Sequence, residues 1–151
     1  MKEHELIADA TIFRGLDDGQ LRRIAERGTL RGFSEGEVVV EEGTPGESIF
    51  VLVEGRLQVT MELDRPSENV PVNLLAPGDV LGEFALVSDH QRSATARAIR
   101  DSRLFELETE AFRELAGEDP LLGYRVLDNT GRILVGRLIK TTRELRASLM
   151  F

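Results

Sequence analysis

The residues of this chain best suited to chemistry are one glutamate and one arginine in a stretch of small residues. Glu83 lies in the apolar run "GEFAL", and Arg92 directly precedes "SATA". The fork of donors on an arginine is suited to pairing with phosphate oxygens. A carboxylate repels phosphate, but it accepts a hydrogen bond from a sugar hydroxyl. The two side chains together therefore indicate a ligand that carries both a sugar hydroxyl and a phosphate.

The residues around this pair leave room for such a ligand. Gly82 allows close approach to the backbone, and "GEFAL" predicts a single turn of helix whose first N–H groups face an anion. The small side chains of Ala85, Ser93 and Ala94 leave space for a ligand. The simpler alternative is a buried salt bridge between Glu83 and Arg92. Isolated buried pairs add little net stability, and this alternative leaves the small residues unexplained.

The elements that must position these residues change type along the chain. Residues 1–31 predict helices, with Asp17 and Gln20 as a capping box and Gly28 as a stop. Residues 32–108 predict short strands divided by glycines and prolines, typical of a sandwich or rolled barrel. Residues 109–151 predict helices again. The order is therefore helix, β-roll, helix in one domain spanning 1–151.

Two features of these segments carry specific predictions. The run "SIFVLVEGRLQVTME" predicts a β-hairpin whose turn is Glu54-Gly55. Further turns are predicted at Glu42-Gly43, Pro45-Gly46, Arg65-Pro66 and Pro77-Gly78. The C-terminal run predicts one long helix with an a/d stripe formed by Val135, Leu138, Thr142, Leu145 and Leu149. That stripe packs on the chain's own barrel or forms a dimer seam.

Composition excludes several classes of protein. The chain of 151 residues has no cysteine, which excludes disulfide scaffolds, thiol catalysis and cysteine-based zinc sites. No apolar run approaches the roughly 18 residues of a membrane span. The net charge of −8 argues against nucleic-acid binding, because phosphate contacts need a basic face. These features fit a cytoplasmic protein.

The stretch "GEFALVSDHQRSATA" resembles the phosphate-binding cassette of the cyclic nucleotide-binding domain family. The preceding runs "FSEGEVVVEEGTPGESIFVLVEGRLQV" and "LLAPGDVLGE" are similar to the strands that lead into that cassette. The resemblance implies a mainly β fold with flanking helices: a double-stranded β-helix (jelly roll, or β-roll) over 32–108, with the cassette at 81–96. N-terminal helices and a long C-terminal helix complete the implied fold.

The resemblance also implies a role for each residue of the cassette. Glu83 would accept from the ribose 2′-hydroxyl, and Arg92 would pair with the exocyclic phosphate oxygens. Backbone groups of three residues would face the ribose and cyclic phosphate, namely Gly82, Phe84 and Ala85. Ser93, with Ala94 beside it, would hydrogen-bond the phosphate or the base.

The nucleotide itself is expected to be cAMP. In this family a threonine after the cassette arginine accompanies cGMP preference, and here Ser93 holds that position. The segment "RLIKTTREL" is similar to the base-contacting helix of catabolite activator protein-like regulators, which implies adenine contacts from Thr141 and Thr142. The alternative interpretations are a cGMP-selective sensor and surface threonines with no ligand role.

We therefore expect a stand-alone regulatory module that shifts its C-terminal helix when cAMP binds. Its partners would be the cyclic nucleotide, an unknown effector protein and a second copy bound through the C-terminal helix. We expect no cofactor, metal, enzymatic activity, DNA or membrane, because no acid/base pair, His-x-His pair or helix-turn-helix is visible. The alternative is a partner-binding module of the same fold that responds to no nucleotide.

Overall fold

The computed structural model describes residues 1–63 and 69–150. The predicted turn Arg65-Pro66 lies outside these ranges. The helices are α1 (Glu3–Leu6), α2 (Asp18–Arg27), α3 (Thr109–Glu118) and α4 (Pro120–Leu149), with 3-10 turns at Thr11–Phe13 and Glu83–Leu86. The strands are β1 (Thr29–Phe33), β2 (Val38–Val40), β3 (Ser48–Glu54), β4 (Leu57–Glu62), β5 (Asn69–Leu75), β6 (Val80–Leu81), β7 (Thr95–Ala98) and β8 (Ser102–Glu108).

The strands form two antiparallel sheets of four strands each. One sheet has the order β1-β8-β3-β6, and the other has the order β2-β7-β4-β5. Consecutive strands mostly belong to different sheets, so the chain passes back and forth between them. The prediction of a β-roll with flanking helices and a long C-terminal helix is confirmed.

The predicted hairpin at Glu54-Gly55 is wrong. Strand β3 pairs with β6 and β8, whereas β4 pairs with β5 and β7 in the other sheet. Gly55 has a φ of +105°, and its Cα packs against the side chain of Ser102. The glycine therefore lets the chain cross between sheets instead of folding back on β3. Strand β4 instead pairs with the next strand along the chain, β5, in antiparallel orientation.

Helix α2 starts at the predicted capping box and stops at Gly28 as predicted, whereas the helical segment as a whole was predicted to reach residue 31. The Asp17 side chain accepts from the Gln20 amide at 2.8 Å, and the Gln20 side chain accepts from the Asp17 amide at 3.0 Å. The helix ends at Gly28, whose Cα lies against the ring of Phe105 with no room for a side chain. The chain then pairs with β8 from Thr29, so the predicted helical segment to residue 31 was too long.

The apolar residues form two clusters on either side of one sheet. The first lies inside the roll and includes Phe50, Leu57 and Leu104. The second lies between the β1-β8-β3-β6 sheet and the helices, and it includes Phe105 and Leu122. Strand β8 contributes alternate residues to both clusters, as the period of a strand requires. The helices are therefore fixed to the same sheet from which the cassette emerges.

Helix α4 is continuous through Gly131 and Gly136, as predicted. Asp119 caps it by accepting from the Leu122 amide at 3.1 Å, and its first half is packed in the core. The members of the predicted stripe on its second half are exposed: Val135, Leu138, Thr142, Leu145 and Leu149. The prediction that this stripe packs on the chain's own barrel is therefore wrong. No helix within the described ranges is long and apolar enough to span a membrane.

Candidate functional site

A cavity of about 370 Å³ lies between the β-roll and α4. That volume falls within the range of small-molecule sites, roughly 300–1,000 Å³. The cassette residues proposed from the sequence all line it: Gly82, Glu83, Phe84, Ala85, Arg92, Ser93 and Ala94. Thr141 of α4 also lines the cavity, whereas Thr142 is exposed and lies outside the lining. The fold thus brings together two segments that are almost fifty residues apart in sequence.

The cassette turn begins at a backbone position that favours glycine. Gly82 has a φ of +80°, in the left-handed region, and the 3-10 turn Glu83–Leu86 follows it. The Ala85 amide donates to the Gly82 carbonyl at 3.0 Å, which closes the turn. Ala85 is buried, while Phe84 is partly exposed at the cavity wall. The single turn predicted from "GEFAL" is therefore present.

The carboxylate of Glu83 is buried and is paired with an arginine from α4. The side chain is only 2% exposed, and its Oε1 accepts from Nη1 of Arg137. Nη2 of the same arginine donates to the Val80 carbonyl at 3.0 Å. Burial lowers the pKa of Arg137, and the negative charge of Asp79 opposes that shift. Arg137 therefore ties the long helix to the cassette directly at Glu83.

Arg92 is held by the backbone rather than by Glu83. Its Nη2 donates to the Ser48 carbonyl at 2.8 Å, and its guanidinium packs closely against both Gly46 and Gly82. Burial lowers the pKa of Arg92, and the charge of Glu106 opposes that shift. The alternative of a Glu83–Arg92 salt bridge is wrong, because each side chain has a different partner. Both side chains remain part of the cavity wall.

One face of α4 covers the cavity with more polar groups than the sequence analysis identified. Arg137, Lys140, Thr141 and Glu144 all line it. They are spaced by three and four residues, so they share one helix face. Once Thr141 is placed toward a ligand, this spacing requires Arg137 and Glu144 to face it too. That signal was available in the sequence, but it does not identify Glu83 as the partner of Arg137.

The rest of the cavity is formed by apolar strand residues and the cassette loop. Strands β4 and β5 contribute several side chains, among them Val59, Val72 and Leu75. His90 and Gln91 line the opposite side from the loop before Arg92, and both are exposed. The site therefore combines two arginines, Arg92 and Arg137, and the buried carboxylate of Glu83 with an apolar wall. Such a site suits a flat apolar ring joined to a sugar phosphate.

The sequence profile of the "Cyclic nucleotide-binding domain" family matches residues 30–119, which is more than half of the chain. The chain belongs to the cyclic nucleotide-binding domain family. The match covers the whole β-roll and the cassette, and it ends where α4 begins. The family suggested by the cassette residues is therefore confirmed.

Two curated relatives of the chain are longer proteins with regulatory names. The chain is 34% identical to the cAMP-dependent protein kinase regulatory subunit of Dictyostelium discoideum over 116 residues, 75% of this chain and 35% of the relative. It is 25% identical to the CRP-like cAMP-activated global transcriptional regulator of Mycobacterium tuberculosis over 147 residues, 97% of this chain and 63% of the relative. The chain thus spans between about a third and just under two thirds of these relatives.

A solved structure shows the same fold over almost the whole chain. The cyclic nucleotide-binding domain from Methylobacillus flagellatus superposes with a TM-score of 0.84 and covers 97% of this chain and 82% of its own. The two sequences are 18% identical. The likeness therefore concerns the architecture: the roll, the flanking helices and the long C-terminal helix.

Proposed function

We propose that this chain is a regulatory module, not an enzyme, that binds a cyclic nucleotide and prefers cAMP to cGMP. The observation that carries the proposal is that Glu83 and Arg92, from one cassette, line a single cavity closed by α4. One curated relative is named as the regulatory subunit of a cAMP-dependent kinase, and another as a cAMP-activated regulator. Both names agree with the chemistry of the cavity.

The ligand would lie with its phosphate on Arg92 and its ribose on Glu83. The guanidinium of Arg92 already has one nitrogen on the Ser48 carbonyl, and Arg92 is one of the residues that line the cavity. Backbone groups of Gly82, Phe84 and Ala85 would surround the ribose and the cyclic phosphate. The base would extend along the apolar wall toward α4.

The preference for cAMP rests on the groups near the base. Ser93 follows the arginine, with Ala94 behind it, and Thr141 comes from α4. A hydroxyl on Thr141 can accept from the exocyclic amine of adenine. Thr142, on the exposed side of the helix, would contact a base only after α4 rotates or a second copy approaches. A cGMP-selective site is the alternative, and direct competition between the two nucleotides distinguishes them.

The response to the ligand would pass through Arg137. Glu83 is the group that would accept the ribose hydroxyl, and it is also the anchor of α4 through Arg137. A ribose at Glu83 therefore competes with Arg137 or reorganises its contacts. The second half of α4 would then change its placement, because its remaining residues are largely exposed.

Calorimetric titration tests binding. The wild-type chain should bind cAMP with micromolar or tighter affinity, and cGMP more weakly. Arg92→Ala should weaken cAMP binding by roughly tenfold to a hundredfold, since a charge-assisted contact contributes about 1.5–3 kcal/mol. Arg132→Ala, which removes an exposed arginine paired with Asp128, is the matched control. The absence of any wild-type binding would refute the proposal.

The exposed stripe on α4 supports a second copy of this chain as one partner. Leu138, Leu145 and Leu149 are all more than half exposed, and a/d spacing is the pattern of a helix pair. Sedimentation analysis should give a dimer that Leu138→Glu weakens. If the chain is a monomer at all concentrations, an effector protein rather than a second copy would bind the stripe. Equal effector recovery from a pull-down with and without cAMP would favour the nucleotide-independent module instead.

A further inference from the structure

A second cavity of about 610 Å³, called the rear cavity below, shares the lining residues Val40 and Arg92 with the nucleotide cavity. Arg92 lines both cavities, so its guanidinium is part of the wall between them. Ser48, Arg31 and Glu106 also line this rear cavity. The ligand described above does not use these three residues. Their contacts lead directly to Arg92.

The contacts form a connected network with short distances. Ser48, the first residue of β3, accepts from Arg92 Nη2 through its carbonyl oxygen at 2.8 Å. The hydroxyl of the same serine donates to Glu106 Oε2 at 2.7 Å. The other oxygen of Glu106 accepts from Arg31 Nη1 at 2.8 Å. Ser48 is thus fixed at both its backbone and its side chain.

We propose that Glu106 is a positioning residue for Arg92, acting through Ser48. Both oxygens of the Glu106 carboxylate are engaged, so it is a fixed acceptor on the central strand β8. It fixes Ser48, and Ser48 fixes the rear edge of the guanidinium. The front edge then points into the nucleotide cavity at a set angle. This inference rests on the proposed function, because it concerns the arginine expected to bind the phosphate.

The network also explains why a glutamate occurs at this position in β8. A neutral side chain could accept a hydrogen bond from the Ser48 hydroxyl, but only a carboxylate also compensates the positive charges of Arg31 and Arg92. The charge of Glu106 acts on Arg92 as well as on Arg31. Loss of the whole Glu106 side chain should therefore release the Ser48 hydroxyl. The guanidinium of Arg92 could then tilt against Gly46 and Gly82.

Phosphorothioate analogues of cAMP test the orientation of Arg92. In the two diastereomers sulfur replaces one or the other exocyclic oxygen, so their affinity ratio reports which oxygen meets the guanidinium. The wild type should bind one diastereomer better than the other. Glu106→Ala should weaken cAMP binding by about fivefold and reduce the ratio, since one net hydrogen bond contributes about 1 kcal/mol. Ser48→Ala should act in the same direction.

Three controls separate positioning from general damage. Glu106→Gln keeps an acceptor for Ser48 and should restore the diastereomer ratio. Glu54→Ala removes an exposed carboxylate paired with Arg103 on the same sheet and should change neither affinity nor ratio. Adenosine, which lacks the phosphate, should bind the wild type and Glu106→Ala equally. Ser48→Ala carries the test if Glu106→Ala does not fold.

The outcomes distinguish this inference from the proposed function. No binding of cAMP by the wild type would refute the proposed function itself. Wild-type binding together with unchanged affinity and ratio in Glu106→Ala would overturn only the positioning role. An increase in affinity, an equal loss for adenosine, or a wild type that does not discriminate between the diastereomers would overturn it too.

Discussion

Replacing Gly82 by alanine should damage both the fold and the ligand site, and the two effects can be separated. Gly82 has a φ of +80°, a conformation that costs an L-residue about 1–2 kcal/mol. The added Cβ would also overlap Nη1 of Arg92 and lie 3.3 Å from the Ser48 carbonyl oxygen. The guanidinium must therefore leave its slot. Its contact with phosphate should then be lost.

The magnitudes follow from these two effects. The free energy of unfolding should fall by about 1–2 kcal/mol, from backbone strain alone. Affinity for cAMP should fall by roughly tenfold to a hundredfold, because one charge-assisted contact contributes about 1.5–3 kcal/mol. Urea denaturation measures the first quantity, and calorimetric titration measures the second.

Two other glycines provide matched controls. Gly36 has a φ of +92°, and within the described residues no atom comes within 4 Å of its added Cβ. Gly36→Ala should therefore lose stability but keep its affinity for cAMP. Gly46 also lies against Arg92, but there an added Cβ would make an ordinary contact of 3.4 Å. Gly46→Ala should be nearly neutral. Wild-type affinity in Gly82→Ala would refute the role assigned to this glycine.

Three further predictions concern α4. Asp119→Ala should lower Tm by a few degrees, because the helix loses its N-cap. The hydrogen bond from the Leu122 amide lowers the pKa of Asp119, so the stabilising effect of this carboxylate is present above about pH 3.9 and is lost as the pH falls further. Thermal melts of the variant should therefore depend less on pH in the acid range than those of the wild type. Arg137→Ala should lower the free energy of unfolding in urea by about 2 kcal/mol, since Glu83 would be left buried without its partner. The control Arg132→Ala should lower it by less than about 0.5 kcal/mol. Leu122→Ala should cost about 3 kcal/mol through the cavity it leaves and should not change cAMP affinity; a large loss of affinity would contradict the separation of core and site.

The sequence was most informative where the functional residues are close together along the chain. Gly82, Glu83 and Arg92 lie in one cassette, so their types and order could be read without knowledge of the fold. The capping box at Asp17 and the single turn after Gly82 were predictable for the same reason, since both depend on local hydrogen bonds.

Features that depend on distant contacts were missed or misjudged. Arg137 is separated from Glu83 by more than fifty residues, and no local pattern indicates that they pair. The predicted hairpin failed because turn residues at Glu54-Gly55 are compatible with a sheet crossing as well as with a tight turn. The pairing of β3 with β8, and of β4 with β5 and β7, decides between them.

The stripe on α4 illustrates a limit of periodicity. An a/d pattern shows that one face of a helix is apolar, but it does not say what covers that face. The structure leaves Leu138 and Leu145 exposed and turns the face of Arg137 and Thr141 toward the cavity. The helix therefore has one polar face at the cavity and one exposed apolar stripe.

The most direct test is a calorimetric comparison of cAMP with 2′-deoxy-cAMP on the wild-type chain. The two ligands differ only in the hydroxyl that Glu83 would accept, and Glu83 is the anchor of α4. We expect micromolar or tighter binding of cAMP and at least about tenfold weaker binding of the deoxy analogue, the loss of one charge-assisted hydrogen bond. Equal affinity for the two ligands, or no binding of either, would contradict the assignment of Glu83 as the ribose acceptor.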